Sequence, residues 1–399
     1  MTYQDMSILK CYDKDVIEFI NRGIGVDDEG RFNELALRAF ELQYSTDEAY
    51  RKYCTKTSIS PESISHWHEI PAVASFPFKK TLASAFPERK AEEFYFRSGI
   101  AELRRKRGPF FPVRAVRSLT EGANKLLEKA FVFPDVDTIK MLFMVPTPVM
   151  APGMVMASGL ERIRQRFGTE DSRFLISFKG LDLRGLISSL RHAEKADHPL
   201  VLLGATWGFD YFLDSCKRAG IVFNLPEGSR IVESGGYVGR YTKCTKEDFF
   251  SKCRDILGLP EISCINALWL CESSTVYFDN VLGNHLGGIS GERCKVAPPW
   301  TRTMAVDPRD FKRLPKGKPG LLRLYDLTNR AMAISVQTGI MGYETESGFE
   351  VVGKWNRDMK NPEIDLLPRH PGGKVVSSIM DAFLAWKFSK TGLIDSSVK

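Results

Sequence analysis

The sequence has no repeated unit, no low-complexity stretch and no pair of cysteines spaced Cys-x-x-Cys. Its eight cysteines and six histidines are scattered along the chain, so we expect reduced thiols rather than disulfides or a structural zinc site. The opening segment, MTYQDMSILKCYDKD, contains no apolar h-region. We therefore expect no secretory signal and a cytoplasmic location.

Long apolar runs and nucleic-acid-binding patterns are also scarce. The most apolar run, residues 139–159, is interrupted by three prolines and two glycines, which favours a buried strand and a loop over a membrane span. The basic residues do not interleave with aromatic ones along one stripe. The net charge of +7 therefore indicates an anionic partner such as a nucleotide, coenzyme A or an acidic carrier protein, and we expect no nucleic acid.

Strand-like and helix-like segments alternate from about residue 139 to about residue 300. The strand-like segments are KMLFMVP (140–146), RFLISF (173–178), PLVLLGA (199–205) and SRIVES (229–234). Amphipathic segments at helical spacing separate them, which predicts a layered α/β core.

The regions on either side of this core have different patterns. Apolar residues recur at helical spacing through the first sixty residues, whereas short extended runs and Pro/Gly turns dominate after about residue 300. We predict a helical N-terminal segment, an α/β core, a β-rich lobe and a small C-terminal subdomain, at residues 1–65, 66–300, 301–352 and 353–399.

Two glycine-bearing turns follow predicted strands. Ser98 and Gly99 follow EEFYFR, and such a loop presents backbone N–H groups that can cradle phosphate oxygens, although most such turns are only turns. Gly235 and Gly236 follow SRIVES, and the absence of side chains would let a flat ligand approach the backbone, unless the pair only forms a tight turn.

Further candidate residues lie in loops after strands. Tyr237 and Arg240 extend the Gly235-Gly236 turn, where Arg240 would reach an anion. Glu272 follows the strand-like INALWL, where its carboxylate would meet a ligand or Mg²⁺, or else cap the next segment. Thr206, Trp207 and Phe209, between a strand and a helix, are expected to line an acyl pocket suited to a flat aromatic or polyketide-like group, unless they belong to the core.

Several segments in this order resemble the acyl-protein synthetases, a branch of the adenylate-forming ligases that activates fatty acids in bacterial bioluminescence. They are IPAVASFPFK (70–79), FYFRSG (94–99), PEGSRIVESGGYVGR (226–240), INALWLCES (265–273), PPWTRTMAVDP (298–308), GLLRLYDLTNRA (320–331) and GFEVVGK (348–354). The resemblance implies an α/β core of the adenylate-forming type. It also implies that a carboxylate is joined to ATP, and that the acyl group passes to a thiol of cysteine, coenzyme A or a carrier-protein phosphopantetheine.

The resemblance also implies roles for individual residues. Ser98 and Gly99 would begin the phosphate loop, and the Gly235-Gly236 turn would lie against adenine. Glu272 would hold Mg²⁺. Lys354 stands where the family usually has an arginine that contacts the nucleotide.

The sequence departs from the family pattern at the nucleotide motifs. Ile100-Ala101-Glu102 replaces two threonines and a glycine of the phosphate loop. Leu268 replaces an adenine-stacking tyrosine, Cys271 replaces a hydroxyl that contacts the α-phosphate, and Ile340 replaces a ribose-binding aspartate. A lost hydrogen bond to such a carboxylate typically costs about 1.5–3 kcal/mol.

Three functions remain open on the sequence alone. The first is an ATP- and Mg²⁺-dependent ligase that transfers a small aromatic or other acyl group to coenzyme A or an acyl carrier protein, in secondary metabolism. The second is ATP-independent acyl exchange between carrier-protein and coenzyme A thioesters, in which Cys271 is either a nucleophile or an inert buried thiol. The third is a non-catalytic partner that retains the fold.

Overall fold

The computed structural model describes residues 3–74, 93–94, 110–111, 113–151, 154–178, 180–236, 244–270, 272–330 and 333–355. The helices in these ranges are α1 (Tyr3–Asn21), α2 (Glu29–Thr46), α3 (Glu48–Lys56), α4 (Val113–Phe131), α5 (Val155–Phe167), α6 (Leu183–Ala196), α7 (Thr206–Ala219), α8 (Lys246–Leu257) and α9 (Val281–Leu286). The strands are β1 (Val73–Ala74), β2 (Glu93–Phe94), β3 (Phe110–Phe111), β4 (Lys140–Met144), β5 (Arg173–Phe174), β6 (Ile176–Ser177), β7 (Gly180–Leu181), β8 (Leu200–Ala205), β9 (Arg230–Ser234), β10 (Cys264–Leu268), β11 (Tyr277–Phe278), β12 (Lys295–Val296), β13 (Thr301–Val306), β14 (Gly320–Asp326), β15 (Ser335–Glu344) and β16 (Gly348–Lys354).

The N-terminal helices form where the helical spacing predicts them. Buried side chains recur every three or four residues along α2, namely Phe32, Leu35, Ala36, Ala39 and Phe40. Asp28 caps the N-terminus of α2 by accepting a hydrogen bond from the backbone N–H of Arg31 at 2.8 Å. Asp47 caps α3 in the same way.

The N-terminal helices are fixed to a loop near the far end of the described chain. The Tyr12 hydroxyl donates to the carbonyl oxygen of Leu327 at 2.9 Å. The side-chain oxygen of Gln43 accepts from the backbone N–H of Ile334 at 3.2 Å. All of these side chains are buried, so the helices and this loop share one core rather than meeting at a wet surface.

The first sheet has the order β11-β10-β9-β8-β4-β5, and its strands are parallel except for β11. Helices cover both faces, so the central strand β8 is buried at every position. Apolar side chains of α6, α7 and α8 fill the core on one face. Those of α4 and α5 fill the core on the other face, together with the N-terminal helices.

The order of the parallel strands creates a switch point between β4 and β8. Along the chain, β5 is added on one side of β4, and β8, β9 and β10 are then added on the other. The loops that leave β4 and β8 therefore run in opposite directions at their carboxyl ends. In open α/β sheets a crevice at such a point is where ligands bind.

The second sheet is mostly antiparallel and has the order β12-β16-β15-β14-β13, with β1 parallel to β15. Its longest strand, β15, pairs with β14 on one side and β16 on the other. This sheet forms the predicted β-rich lobe, except that β1 and β12 come from earlier parts of the chain. Among the described residues, no helix is long and apolar enough to cross a membrane.

Two buried aspartates join the sheets. Asp279, directly after β11, accepts from Lys295 Nζ in β12 at 2.6 Å and from Arg293 at 2.7 Å. Burial alone would raise the pKa of Asp279, but the two cations outweigh it and hold this pKa below its usual value. Asp326, which ends β14, accepts from the Ser273 hydroxyl and from the backbone N–H of Thr275, each at 2.9 Å.

We expect Lys295→Met to lower the free energy of unfolding by about 3–5 kcal/mol, because it leaves the buried Asp279 carboxylate short of a cation. Both side chains are at most 1% exposed. The matched control is Lys316→Met, since the Lys316–Glu346 pair is at least half exposed and worth at most about 1 kcal/mol. Urea unfolding measures both changes, and equal losses in the two variants would contradict a buried anchor.

Candidate functional site

The carboxyl edge of the parallel sheet brings the candidate residues together. Gly204 of β8 lies opposite Glu233 of β9, and Glu233 lies opposite Asn266 of β10, so the three form one row across the sheet. Thr206 begins α7 just beyond this row, and Gly235 follows β9 at the same edge. The turn and the first residues of α7 therefore lie together, as their positions after strands predict.

A buried carboxylate connects the ends of the three strands. Glu233 is 1% exposed, and one of its oxygens accepts a short hydrogen bond from the Thr206 hydroxyl. Its other oxygen accepts from the Asn266 side-chain amide at 2.6 Å. Through these two buried hydrogen bonds, Glu233 connects the start of α7 and the end of β10 to the turn that follows it.

Glu233 and Asn266 are positioning residues that the sequence analysis did not single out. The available signal was a carboxylate directly after the apolar pair Ile231-Val232 in a predicted buried strand, where burial makes an unpaired charge costly. Nothing in the sequence identifies its partners, since Thr206 and Asn266 lie 27 and 33 residues away.

The turn after β9 requires glycine. Gly235 has φ 123° and Gly236 has φ 84°, in the region that other residues rarely adopt. A Cβ at Gly235 would lie 3.8 Å from the Thr206 hydroxyl oxygen, and a Cβ at Gly236 would meet nothing within 4 Å. Among the described residues, none crowds the backbone at Gly236, and binding of a flat group at this turn stays a prediction.

The three residues predicted to line an acyl pocket have different environments. Phe209 is fully buried in the core between α7 and the sheet, where its ring lies 3.4 Å from the position of a Cβ on Gly204. Thr206 is also buried and bonds to Glu233. Trp207 is half-buried in the first turn of α7 and is the one of the three with exposed surface at this edge.

Comparison with known proteins adds the family. A family model described as "Acyl-protein synthetase, LuxE" matches residues 25–353. The chain belongs to this family. Two long-chain-fatty-acid–luciferin-component ligases are similar to it. The protein from Aliivibrio fischeri is 20% identical over 318 residues, with 79% of each chain covered, and the one from Vibrio harveyi is 21% identical over 301 residues, with 74% of each covered.

Solved structures show that this acyl-protein synthetase family member has the fold of the adenylate-forming ligases. Two structures of 2-hydroxyisobutyryl-CoA ligase, both in complex with 2-HIB-AMP and CoA, resemble it. The one in the thioesterification state has a TM-score of 0.56 and 12% identity, and covers 81% of this chain and 68% of its own. The open conformation has a TM-score of 0.55 and 12% identity, with 80% and 68% covered.

Two positions at which we expect the chain to depart from the family's nucleotide motifs lie in one apolar cluster. Leu268, at the end of β10, and Ile340, in β15, are half-buried against the same buried side chains. We call this set the edge cluster: Tyr277, Ala305, Leu322, Leu324 and Phe349, with Leu268, Leu270, Ala297, Ile340 and Val351 packed against them. None of these side chains offers the carboxylate acceptor that a ribose hydroxyl needs.

Glu272 lies in the turn beyond β10, beside the loop that follows β14. Its backbone oxygen accepts from the Asn329 amide at 2.8 Å, and the next two residues, Ser273 and Ser274, bond to Asp326 and Asn329. The Glu272 side chain is partly exposed. Within the described ranges, no three His, Cys, Asp or Glu residues are grouped so as to hold a metal ion. The Mg²⁺ role of Glu272 stays a prediction.

The other predicted site residues are only partly visible. The backbone of Lys354 pairs with Ile340 in the β15–β16 ladder, which places Lys354 beside the edge cluster. The Lys354 side chain lies outside the described residues, as do Ser98, Gly99, Tyr237, Arg240 and Cys271.

Three of the described cysteines are poor candidates for a nucleophile. Burial raises the pKa of Cys54 and of Cys216 to about 11 each, and that of Cys244 to about 12, so these thiols stay protonated near neutral pH. The described cysteines are all free, as expected, and of these only Cys11 is exposed.

We expect Thr206→Val to destabilise the protein by about 1–3 kcal/mol, because the shape is kept while Glu233 loses a buried donor. Thr206→Ser keeps the hydroxyl and is the matched control. Urea unfolding of both variants separates the lost hydrogen bond from the lost methyl group. If Thr206→Ser loses as much stability as Thr206→Val, the bond to Glu233 contributes little to this edge.

Proposed function

We propose that the protein activates an acyl or aryl carboxylic acid and passes the acyl group to a thiol, either of coenzyme A or of an acyl-carrier-protein phosphopantetheine. The observation that carries this proposal is the joint position of the Gly235-Gly236 turn, the start of α7 and the Glu272 segment at one edge of the parallel sheet. The luciferin-component ligases and the 2-hydroxyisobutyryl-CoA ligase both act on acyl groups by name, which supports the same class of reaction.

The described residues fit an adenine nucleotide in part. The open backbone at Gly236 suits a flat ring, and Glu272 supplies a carboxylate of the kind that Mg²⁺ prefers. ATP would supply the leaving group that converts the carboxylate into an acyl donor. The chain's own contribution is to hold the acyl group and the incoming thiol at this edge, on strands fixed by Glu233.

The reaction requires that the site hold an acyl group and a thiol side by side. An activated acyl group must meet a thiol sulfur within contact distance, with water kept away so that hydrolysis does not compete. Trp207 and the half-buried members of the edge cluster provide apolar surface on either side of the turn.

We further propose that the acyl group is aromatic or otherwise compact, that the protein works in secondary metabolism, and that its location is cytoplasmic.

Pyrophosphate exchange with ATP, Mg²⁺ and a panel of carboxylic acids tests this function. We expect exchange with at least one acid, and we expect Glu272→Ala to reduce it at least about 100-fold, because a metal ion contributes several kcal/mol of charge stabilisation. Glu292→Ala, which removes an exposed carboxylate, is the matched control and should leave the rate unchanged. Exchange that survives Glu272→Ala would remove Glu272 from the reaction.

A second candidate function is ATP-independent transfer of an acyl group between carrier-protein and coenzyme A thioesters. The edge cluster supports it, because Leu268 and Ile340 are apolar at the positions where the resemblance implies a stacking tyrosine and a ribose carboxylate. Exchange between thioesters is nearly isoenergetic, so it needs no nucleotide. Formation of acyl-coenzyme A from an acylated carrier protein without ATP would support it, and inactivity in both assays would favour a non-catalytic partner.

The composition of the edge cluster leads to a prediction about ATP affinity. We expect Ile340→Asp to increase ATP affinity by roughly ten- to a hundredfold, because it restores a charge-assisted acceptor worth about 1.5–3 kcal/mol. Val351→Asp places the same charge elsewhere in the cluster and should not increase affinity. Calorimetric titration with ATP compares the two, and equal affinities would show that Ile340 does not face a ribose.

A further inference from the structure

Trp269 lies at the carboxyl edge of the first sheet, on the face that packs against α5. It is the first residue after β10, and the alternation of side chains places it on the same face as Ile265 and Ala267, toward α5. Its ring packs edge-to-face on Phe278, with centroids 6.4 Å apart and planes at 86°. Trp269 is only half-buried, so part of its surface remains exposed.

The other side of the indole fills a notch in α5 at Gly159. A Cβ built at Gly159 would lie 1.9 Å from Cζ3 of Trp269, 2.5 Å from Cη2 and 2.9 Å from Cε3. No side chain fits at Gly159 while the indole occupies this position. Trp269 therefore takes the volume between α5 and the sheet that a side chain on the helix would otherwise fill.

The contact between Trp269 and Gly159 lies near the expected ligand site, because α5 begins beside the switch point of the sheet. α5 follows β4 by way of the loop after residue 144, and β4 borders the switch point where a ligand is expected. The Gly235-Gly236 turn follows β9, which lies beside β10, so a ligand bound at this turn and extending along the α5 face would reach Trp269. Ala205 and Ser234, paired at the ends of β8 and β9, are small, and Ala267 lies opposite Phe278, so the indole and the Phe278 ring are the bulky groups beside this row.

We propose that Trp269 is a specificity-determining residue that ends the acyl-binding site against Gly159 and restricts the protein to compact acyl groups, aromatic or of a few carbons. This inference rests on the proposed function in acyl transfer. It assigns the limit on acyl length to one side chain and its glycine partner, rather than to Trp207 or Phe209. Long chains are excluded because the indole occupies the space into which they would extend.

The experiment measures binding of cis-parinaric acid, a fluorescent long-chain fatty acid, and of benzoic acid to the full chain. Wild type should bind benzoic acid and bind parinaric acid weakly. Trp269→Ala should bind parinaric acid more tightly by about fourfold for each methylene that the vacated space accepts, or about sixtyfold for three methylenes.

Two further variants distinguish the effect of the space vacated by Trp269 from the effect of looser packing around α5. In Trp269→Ala/Gly159→Leu, the leucine side chain refills the space, so parinaric acid affinity should return to the wild-type value. Ile163→Ala also opens space beneath α5, although less than Trp269→Ala does, and it lies one turn further from the edge, so this variant should bind as wild type does. An unchanged affinity in Trp269→Ala, or an equal gain in Ile163→Ala, would overturn the proposal.

Gly159→Ala provides an independent test in case Trp269→Ala does not fold. The new methyl group would push the indole out of the notch and into the ligand space, so benzoic acid affinity should fall and tryptophan fluorescence should shift to longer wavelength. Unchanged benzoic acid binding would overturn the proposal. Binding needs no turnover, so if wild type catalyses no acyl transfer, the proposed function fails while these affinities still decide the role of Trp269.

Discussion

The two buried aspartates between the sheets set the geometry on which the rest of the molecule depends. Asp279 joins the edge strand of the first sheet to the first strand of the second, and Asp326 joins the end of β14 to the segment after Glu272. Both carboxylates lie where water cannot replace their partners, so the relative position of the sheets is fixed by a few short, charged hydrogen bonds. Leu268 and Ile340 face a common cluster because of this constraint.

Most helices and the central strand of the fold could be predicted from the sequence. The spacing of apolar residues located the N-terminal helical region and the helices α5 to α8, and the run PLVLLGA located the central strand, because burial imposes a period on each element. RFLISF was predicted as one strand, but the chain breaks at Leu175. This residue turns into the core and bonds to the carbonyl oxygen of Phe143, which leaves the short strands β5 and β6.

The site could be predicted only where it follows from position along a strand. Gly235, Gly236 and Thr206 lie at the sheet edge because each follows a parallel strand, and such ends always meet on one side. The partners of Glu233 and the packing of Trp269 on Gly159 could not be predicted, since they depend on which strands become neighbours and on which face each side chain takes. The family resemblance supplied roles for residues, whereas the contacts come only from the three-dimensional arrangement.

The hydrogen bond from Tyr12 to Leu327 has a consequence for how the chain reaches its native state. The two residues are separated by 315 positions, so at roughly 5–20 residues per second their synthesis is separated by about 15–60 s. During that interval the first helices lack this buried partner from the far end of the chain, although α1, α2 and α4 can already pack on one another. We expect the early chain to depend on chaperones, and the N-terminal helices to dock in one of the last steps of folding.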